Sequence, residues 1–300
     1  MSKILPWIKA SRLTAQGFVF PSILLGQAIA YYQKQEFDLT VFILIHTYGL
    51  FMHFFIVYAN DYADYDTDKL NKAFTIFSGG SRVLVEGALT KKNLLYGSIL
   101  MSSLCIFIGI IFWVILSNPL ILFLILIGLF LLYAYSFKPF IVSYRGFGEV
   151  LQMLGVGIIL PLIGFSSQNG SFETFPWQLL FLTLPSQLAM AISTSLPDQP
   201  SDLISSKKTT AVILGQKKAQ VIMVLFYSLS LFLFIFTQSS LYLNTWGISI
   251  LALLTFLIIL QVFFSINKNT KPGTKKLTLL VFLSILTNTS FILGLTYLLI

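Results

Sequence analysis

The 300 residues carry a formal net charge of +8, yet only 10% of them are charged, 56% are hydrophobic, and the mean hydropathy is +0.86. Soluble domains carry charge on roughly a quarter of their residues, so this composition excludes one and describes an all-α, polytopic membrane protein. The basic residues are scattered among short loops, which argues against nucleic acid as a partner, and the lone Cys105, inside an apolar run, excludes a disulfide framework or a cysteine metal site.

Taken in chain order, Lys3, Lys9 and Arg12 precede an apolar run that begins near Leu13. No small-residue cleavage pattern follows Tyr31-Tyr32, so the N-terminus reads as a first membrane helix with no cleaved signal. Nine apolar segments of about 17 to 25 residues are long enough to span a bilayer. They lie near 13–33, 39–60, 93–116, 118–136, 148–166, 176–197, 219–238, 241–264 and 277–299. Threading them in alternation places the N-terminus and the loops 61–92, 137–147, 198–218 and 265–276 on one side. Every Lys and Arg except Lys34 then falls on that side, and Lys34 shares its loop with Glu36 and Asp38. The positive-inside rule makes that side cytoplasmic. The expected topology is therefore N-terminus inside and C-terminus outside, in a bacterial inner membrane, with residues 1–300 forming one domain.

The second span ends in Asn60-Asp61-Tyr62-Ala63-Asp64-Tyr65-Asp66-Thr67-Asp68. Carboxylates directly behind a membrane span are expensive and therefore point to function. On an ideal helix, with Asn60 at zero, Asp61 falls near ~100°, Asp64 near ~40° and Asp68 near ~80°, whereas Asp66 falls near ~240°. Three acids and an amide share a face. Such like charges repel unless a cation lies between them, and oxygen-only ligation suits Mg²⁺, which commonly bridges carboxylates to substrate phosphates. A second pair, Asp198 and Asp202, ends the sixth span, where Pro197 and Pro200 predict a broken helix. The two clusters occupy equivalent places in two four-helix halves, with the ninth helix an addition.

Other residues gather around these acids. His46 and His53 stand fourteen and seven residues before Asn60 on the same face, so His53 is a candidate for the wall of a substrate cavity. Lys69, Lys72, Arg82, Lys138, Arg145, Lys207 and Lys208 could neutralise a diphosphate beyond what a metal does. Arg82 stands out because Gly79 and Gly80 before it permit close backbone approach, as do Lys207 and Lys208, with Lys138 and Arg145 next. Tyr133 and Tyr135, at the inner end of the fourth span, offer ring faces to an allylic carbocation.

With these motifs in view, the chain resembles the UbiA superfamily of intramembrane aromatic prenyltransferases. The family pattern Asn-Asp-x-x-Asp-x-x-x-Asp is met by Asn60, Asp61, Asp64 and Asp68, and Asp-x-x-x-Asp by Asp198 and Asp202. Further matches are Ser78-Gly79-Gly80-Ser81-Arg82-Val83-Leu84, Tyr135-Ser136-Phe137-Lys138-Pro139, Tyr144-Arg145-Gly146-Phe147-Gly148-Glu149, and Lys207-Lys208-Thr209 running to Leu214-Gly215. The branch most similar prenylates 1,4-dihydroxy-2-naphthoate on the way to menaquinone. The chain departs from it at Thr194-Ser195-Leu196-Pro197-Asp198, which lacks the polar lead of that branch, and at Ser206, where glycine is usual.

The resemblance implies a helical bundle with a central cavity open to the cytoplasm and the lipid. It implies Mg²⁺ held by Asn60, Asp61, Asp64, Asp68, Asp198 and Asp202. A polyprenyl diphosphate would ionise there, and an aromatic acceptor would attack the carbocation. 4-Hydroxybenzoate is the alternative acceptor. A soluble-type isoprenyl diphosphate synthase does not fit nine spans, a CDP-alcohol phosphatidyltransferase needs Asp-Gly and Ala-Arg elements absent here, and a secondary transporter places its acids near the bilayer midplane.

Overall fold

The computed structural model describes residues 4–13, 18–237 and 245–300, and these form helices and turns with no strand among them. The helices in order are α1 (Leu5–Ala10), α2 (Val19–Lys34), α3 (Leu39–Ala63), α4 (Tyr65–Leu70), α5 (Lys91–Val114) and α6 (Pro119–Ser136). There follow α7 (Gly148–Leu154), a π turn (Gly155–Ile159), α8 (Leu160–Asn169), α9 (Trp177–Ser195) and α10 (Gln199–Ile204). The chain ends with α11 (Thr210–Leu214), α12 (Gln216–Phe236), α13 (Thr245–Ile266) and α14 (Lys275–Leu299).

Local chemistry sets several boundaries. Asp38 accepts from the Val41 N–H to start α3, and Thr90 and Asn93 form a reciprocal capping box at the start of α5. Pro161 has no N–H to offer the turn before it, and there the helix widens, with the Leu160 N–H bonded to the Gly155 carbonyl five residues back. Large side chains such as Phe107, Trp113, Phe123, Phe256 and Phe263 are more than half exposed on the outer surface, as expected of faces that meet lipid rather than water.

Eight helical stretches among the described residues are long and apolar enough to cross a membrane, from Leu39–Ala63 to Lys275–Leu299. The protein is a multi-pass membrane protein. The first expected span, 13–33, appears as α2, whose 16 residues measure roughly 24 Å against a hydrocarbon core of about 30 Å. Residues 14–17 of that expected span, and 241–244 of the eighth, lie outside the described residues. The other boundaries fall within a few residues of those the hydropathy predicts.

The contacts run in the same order in both halves: α3 packs on α5 and α5 on α6, while α9 packs on α12 and α12 on α13. The first helices of the halves, α2 and α8, pack on each other, and α14 closes the bundle against α13, α2 and α9. The α2–α8 contact depends on paired glycines. A Cβ on Gly26 would overlap the Pro161 carbonyl, and one on Gly164 would overlap the Ile23 carbonyl. Small residues let backbones approach closely where no hydrophobic effect draws helices together.

Gly164→Ala is therefore expected to lower stability by about 1–3 kcal/mol, the usual effect of overpacking. The check is the thermal midpoint of the purified protein in detergent; an unchanged midpoint would mean that α2 and α8 do not meet this closely.

Candidate active site

The first acidic motif straddles a helix break. Helix α3 runs to Ala63, Asp64 adopts φ −88° and ψ 7°, and the Asp68 N–H returns to the Asp64 carbonyl at 2.8 Å as the chain enters α4. Asn60, Asp61, Asp64 and Asp68 all reach the wall of one cavity. Asp66 points away, 87% exposed and 3.8 Å from Lys91 Nζ. The loop after α4 folds back over the motif. Ser81 donates both its N–H, at 3.0 Å, and its hydroxyl to Asp61 Oδ2. Gly79 and Gly80, at φ 75° and 65°, are required here, since a Cβ on Gly80 would overlap Asp68 Oδ2.

The second motif arrives from the other half. α9 ends at Ser195, a 3₁₀ turn covers Leu196–Asp198, and α10 begins with Pro200 in its first turn, where a missing N–H does no harm. α10 packs against α4, and this docking sets Asp198 and Asp202 in the same cavity wall as Asp64 and Asp68. Asn71 Nδ2 donates to Asp198 Oδ1 at 2.6 Å. Lys207 Nζ, with its side chain 9% exposed, lies 2.9 Å from Asp64 Oδ2 and about 6 Å from the ring centres of Tyr135 and Tyr144.

Six carboxylates, five aspartates and Glu149, thus share the cavity with two cations, Lys207 and Arg12, the latter 3.9 Å from Asp61 Oδ1. Burial first, and then the neighbouring Asp64, Asp61 and Asp198, push the Asp68 carboxyl up to about 8 against the pull of Lys207. Burial pulls the Lys207 ammonium down, but Asp64, Tyr135 and Asp202 outweigh it and hold its pKa well above the usual value. Asp61 Oδ1 is buried with no hydrogen-bond partner.

A surplus of negative oxygen with an orphaned carboxylate atom fits a hard divalent cation. Among the described residues no three acid, His or Cys side chains converge on one point, and Asp64 turns to Lys207 instead. Mg²⁺ does not need such convergence, because it is usually bound by one or two carboxylates plus substrate phosphates. The residues present therefore fit Mg²⁺ carried with a phosphorylated substrate.

Of the cations expected to meet a diphosphate, Lys207 lines the cavity. Arg82 lies behind it: its Nη1 donates to the backbone carbonyls of Asp68 and Asn71, and its guanidinium covers the Phe74 ring at 4.5 Å. Arg145 is exposed and donates to the Pro139 carbonyl at 2.8 Å, while Lys138 and Lys208 are exposed and outside the wall. Asn60 accepts from the Ser136 hydroxyl at 2.8 Å, and His53 bonds the Ser11 carbonyl through Nε2 at 2.7 Å, both in the wall. His46 pairs with Gln27 farther along the span. Tyr135 lines the cavity; Tyr133 is exposed and donates to the Lys138 carbonyl.

Two residues given no role by the sequence also meet here. Arg12 is one, and its only sequence signal is a charge just ahead of an apolar run. Glu149, the last residue of the Tyr144–Glu149 motif, is the other, 6% exposed in the cavity wall, where Oε1 accepts the Thr210 N–H at 2.7 Å and ties α7 to the segment that carries Lys207.

The cavity holds about 260 Å³. From its acidic end it runs along Ile56 and Met52 of α3, Leu132, Leu131 and Gly128 of α6, and Gln152, Gly155, Val156 and Ile159 of α7 and the π turn. Asp64 and Met52 are twelve residues apart on α3, roughly 18 Å at 1.5 Å per residue.

A helical membrane bundle whose two halves both bring carboxylates to the head of a largely apolar cavity defines a class of intramembrane site. The chain belongs to the UbiA prenyltransferase family, which it matches over residues 19–286. It is 25% identical over 204 residues to the 1,4-dihydroxy-2-naphthoate octaprenyltransferase of Bacillus subtilis (strain 168), an overlap of 67% of this chain and 63% of that protein, so slightly less than two thirds of the relative is spanned. Its fold matches that of a UbiA homolog from Aeropyrum pernix K1, with a TM-score of 0.71 and 18% identity over 93% of this chain and 98% of the other. A UbiA homolog from Archaeoglobus fulgidus, solved bound to DMAPP and Mg²⁺, gives a TM-score of 0.69 with 15% identity over 98% of both chains.

Because a carboxyl with a pKa near 8 must lose its proton before it binds a cation, Mg²⁺ affinity is expected to rise with pH by up to roughly tenfold per unit, flattening above about pH 8. Thermal stabilisation by Mg²⁺, titrated at several pH values, measures this. Asp68→Asn should flatten the slope between about pH 7 and 8 and leave that below pH 7, where Asp202 and Asp198 still titrate; a pH-independent affinity in the unsubstituted protein would contradict the assignment.

Proposed function

We propose that the protein transfers a polyprenyl group from its diphosphate to an aromatic acceptor within the membrane in an Mg²⁺-dependent reaction. The acceptor best supported is 1,4-dihydroxy-2-naphthoate, on the way to menaquinone. The observation that carries this reading is the meeting of Asp64 and Asp68 with Asp198 and Asp202, beside Lys207 and Arg12, at the head of a cavity whose remaining walls are largely apolar. The named activity of the Bacillus subtilis relative and the DMAPP and Mg²⁺ bound by the Archaeoglobus fulgidus homolog support it.

Asp64, Asp68, Asp198 and Asp202, with Asn60 and Asp61 beside them, would hold the metal. When bound, Mg²⁺ would neutralise diphosphate oxygens and stabilise the charge that grows on the departing group. Lys207, beside Asp64, and Arg12, beside Asp61, supply fixed positive charge to the same diphosphate. The wall residues Ile56, Leu131, Leu132 and Val156 keep water from the allylic carbon, and the Tyr135 ring, 6.0 Å from Lys207 Nζ, offers it a π face. The acceptor ring then attacks that carbon, and with a naphthoate acceptor the ring carboxylate is lost in the substitution. The proposed setting is a bacterial inner membrane with the acid-bearing helix ends and the N-terminus facing the cytoplasm.

The purified protein, given Mg²⁺ and a polyprenyl diphosphate with 1,4-dihydroxy-2-naphthoate and 4-hydroxybenzoate in parallel, should yield a prenylated, decarboxylated naphthoquinol by mass spectrometry. Prenyl-hydroxybenzoate alone would move it to the ubiquinone branch. Asp64→Ala and Asp198→Ala should each lower turnover by about 100- to 1000-fold while leaving the thermal midpoint near that of the parent; full activity in either would remove the metal assignment.

A further inference from the structure

The glycines of this bundle fall into two kinds. At Gly26 and Gly164 a Cβ would collide with backbone, so the glycine is there for helix approach. At Gly128 and Gly155, both in the cavity wall, it would not. A Cβ on Gly128 would lie 3.5 Å from Met52 Cε and 3.7 Å from both Ile159 Cγ2 and the Tyr48 hydroxyl, which is ordinary van der Waals contact. A Cβ on Gly155 would have Leu131 Cδ1 as its nearest neighbour, at 4.0 Å. Neither glycine has a positive φ, and both lie in helical backbone where glycine is less favourable than alanine. Neither packing nor backbone geometry explains them. What they leave is empty space in the cavity.

That space lies at a definite place. Gly128 is seven residues from Tyr135 on one face of α6, roughly 10.5 Å farther from the acids. It is joined there by Met52, which lies at the same far end of α3. Behind it stands Tyr48, fully buried, with a hydroxyl that has no hydrogen-bond partner and lies 3.7 Å from where a Gly128 Cβ would be. The π turn opposite brings both Gly155 and Ile159 to the wall.

We propose that Gly128, together with Gly155 in the same cavity wall, sets the length of prenyl chain that the cavity admits. The inference rests on the reading above, in which the apolar arm of the cavity receives the donor's tail. The side-chain volume absent at these two positions is taken up by the isoprenoid units farthest from the diphosphate, and a side chain placed there excludes them without disturbing the acids at the other end.

The test is binding of dimethylallyl, geranyl, farnesyl and geranylgeranyl diphosphates to the full chain with Mg²⁺ and no acceptor, in the parent, Gly128→Ala, Gly128→Leu and Gly155→Ala. Gly128→Leu should weaken the longer donors at least about tenfold, the scale of a few lost methylene contacts, while dimethylallyl diphosphate changes by less than about twofold. Gly128→Ala, which fits without a clash and should keep the parent's thermal midpoint, carries the test if the leucine variant does not fold; it should shift the preference in the same direction by a smaller factor. An equal effect on every donor, or none, overturns the proposal. Failure of the parent to bind any of these diphosphates overturns the functional reading itself, a separate result.

Discussion

Gathering six carboxylates in a low-dielectric cavity is the constraint on which the rest of the site depends. Their mutual repulsion is far stronger there than in water, so the fold has to supply positive charge and hydrogen-bond donors from wherever the chain can bring them. Lys207 comes from the segment between α10 and α11, Arg12 from ahead of α2, Ser81 from the loop after α4, and Asn71 from the end of α4 itself. Lys207, Arg12 and Asn71 are all remote in sequence from the acids they serve, and Asn71, though it closely follows the first motif, crosses to Asp198 in the other half. The acids are therefore as much an organising centre for the fold as a reactive one, and residual repulsion is visible in the raised pKa of Asp68.

Much of this was legible in the chain. Membrane spans are read from hydropathy because lipid demands long uninterrupted apolar helices, and eight of the expected spans have the predicted type and place. α2 falls short of that length as described. The grouping of Asp61, Asp64 and Asp68 away from Asp66 follows from helical spacing, even though α3 breaks at Asp64, because the next turn keeps the Asp68 N–H on the Asp64 carbonyl. Pro197 and Pro200 likewise announced the break beside Asp198.

The cations were less legible, for a physical reason. A carboxylate beside a span is costly and signals itself, whereas a lysine or arginine at a cytoplasmic helix end is what topology alone produces. Arg82 looked suited to a phosphate because glycines precede it. Its own φ of 68° carries the chain past the cavity, and the guanidinium satisfies the backbone carbonyls of Asp68 and Asn71 instead. Arg12, with no motif around it, reaches Asp61 because the start of the chain crosses the acid-bearing end of α3, where His53 holds the Ser11 carbonyl. No local spacing encodes that crossing.

Glu149 shows how the two halves are tied together at this point. One carboxylate oxygen receives the Thr210 N–H at 2.7 Å and lies 3.4 Å from the Ser195 hydroxyl, so α7, the end of α9 and the start of α11 meet on a single atom. The segment fixed in this way carries Lys207, and Lys207 in turn reaches Asp64 in the first half. The positions of the acid pairs, the cation between them and the α4–α10 contact are thus one arrangement. A ligand that binds both pairs at once also holds the halves together, and by mass action its affinity adds to the stability of the bundle. That gives a physical reason for dividing the carboxylates between two equivalent helices. A site assembled from both halves forms only when they are docked, so the proposed diphosphate would meet the full set of charges only in the assembled cavity.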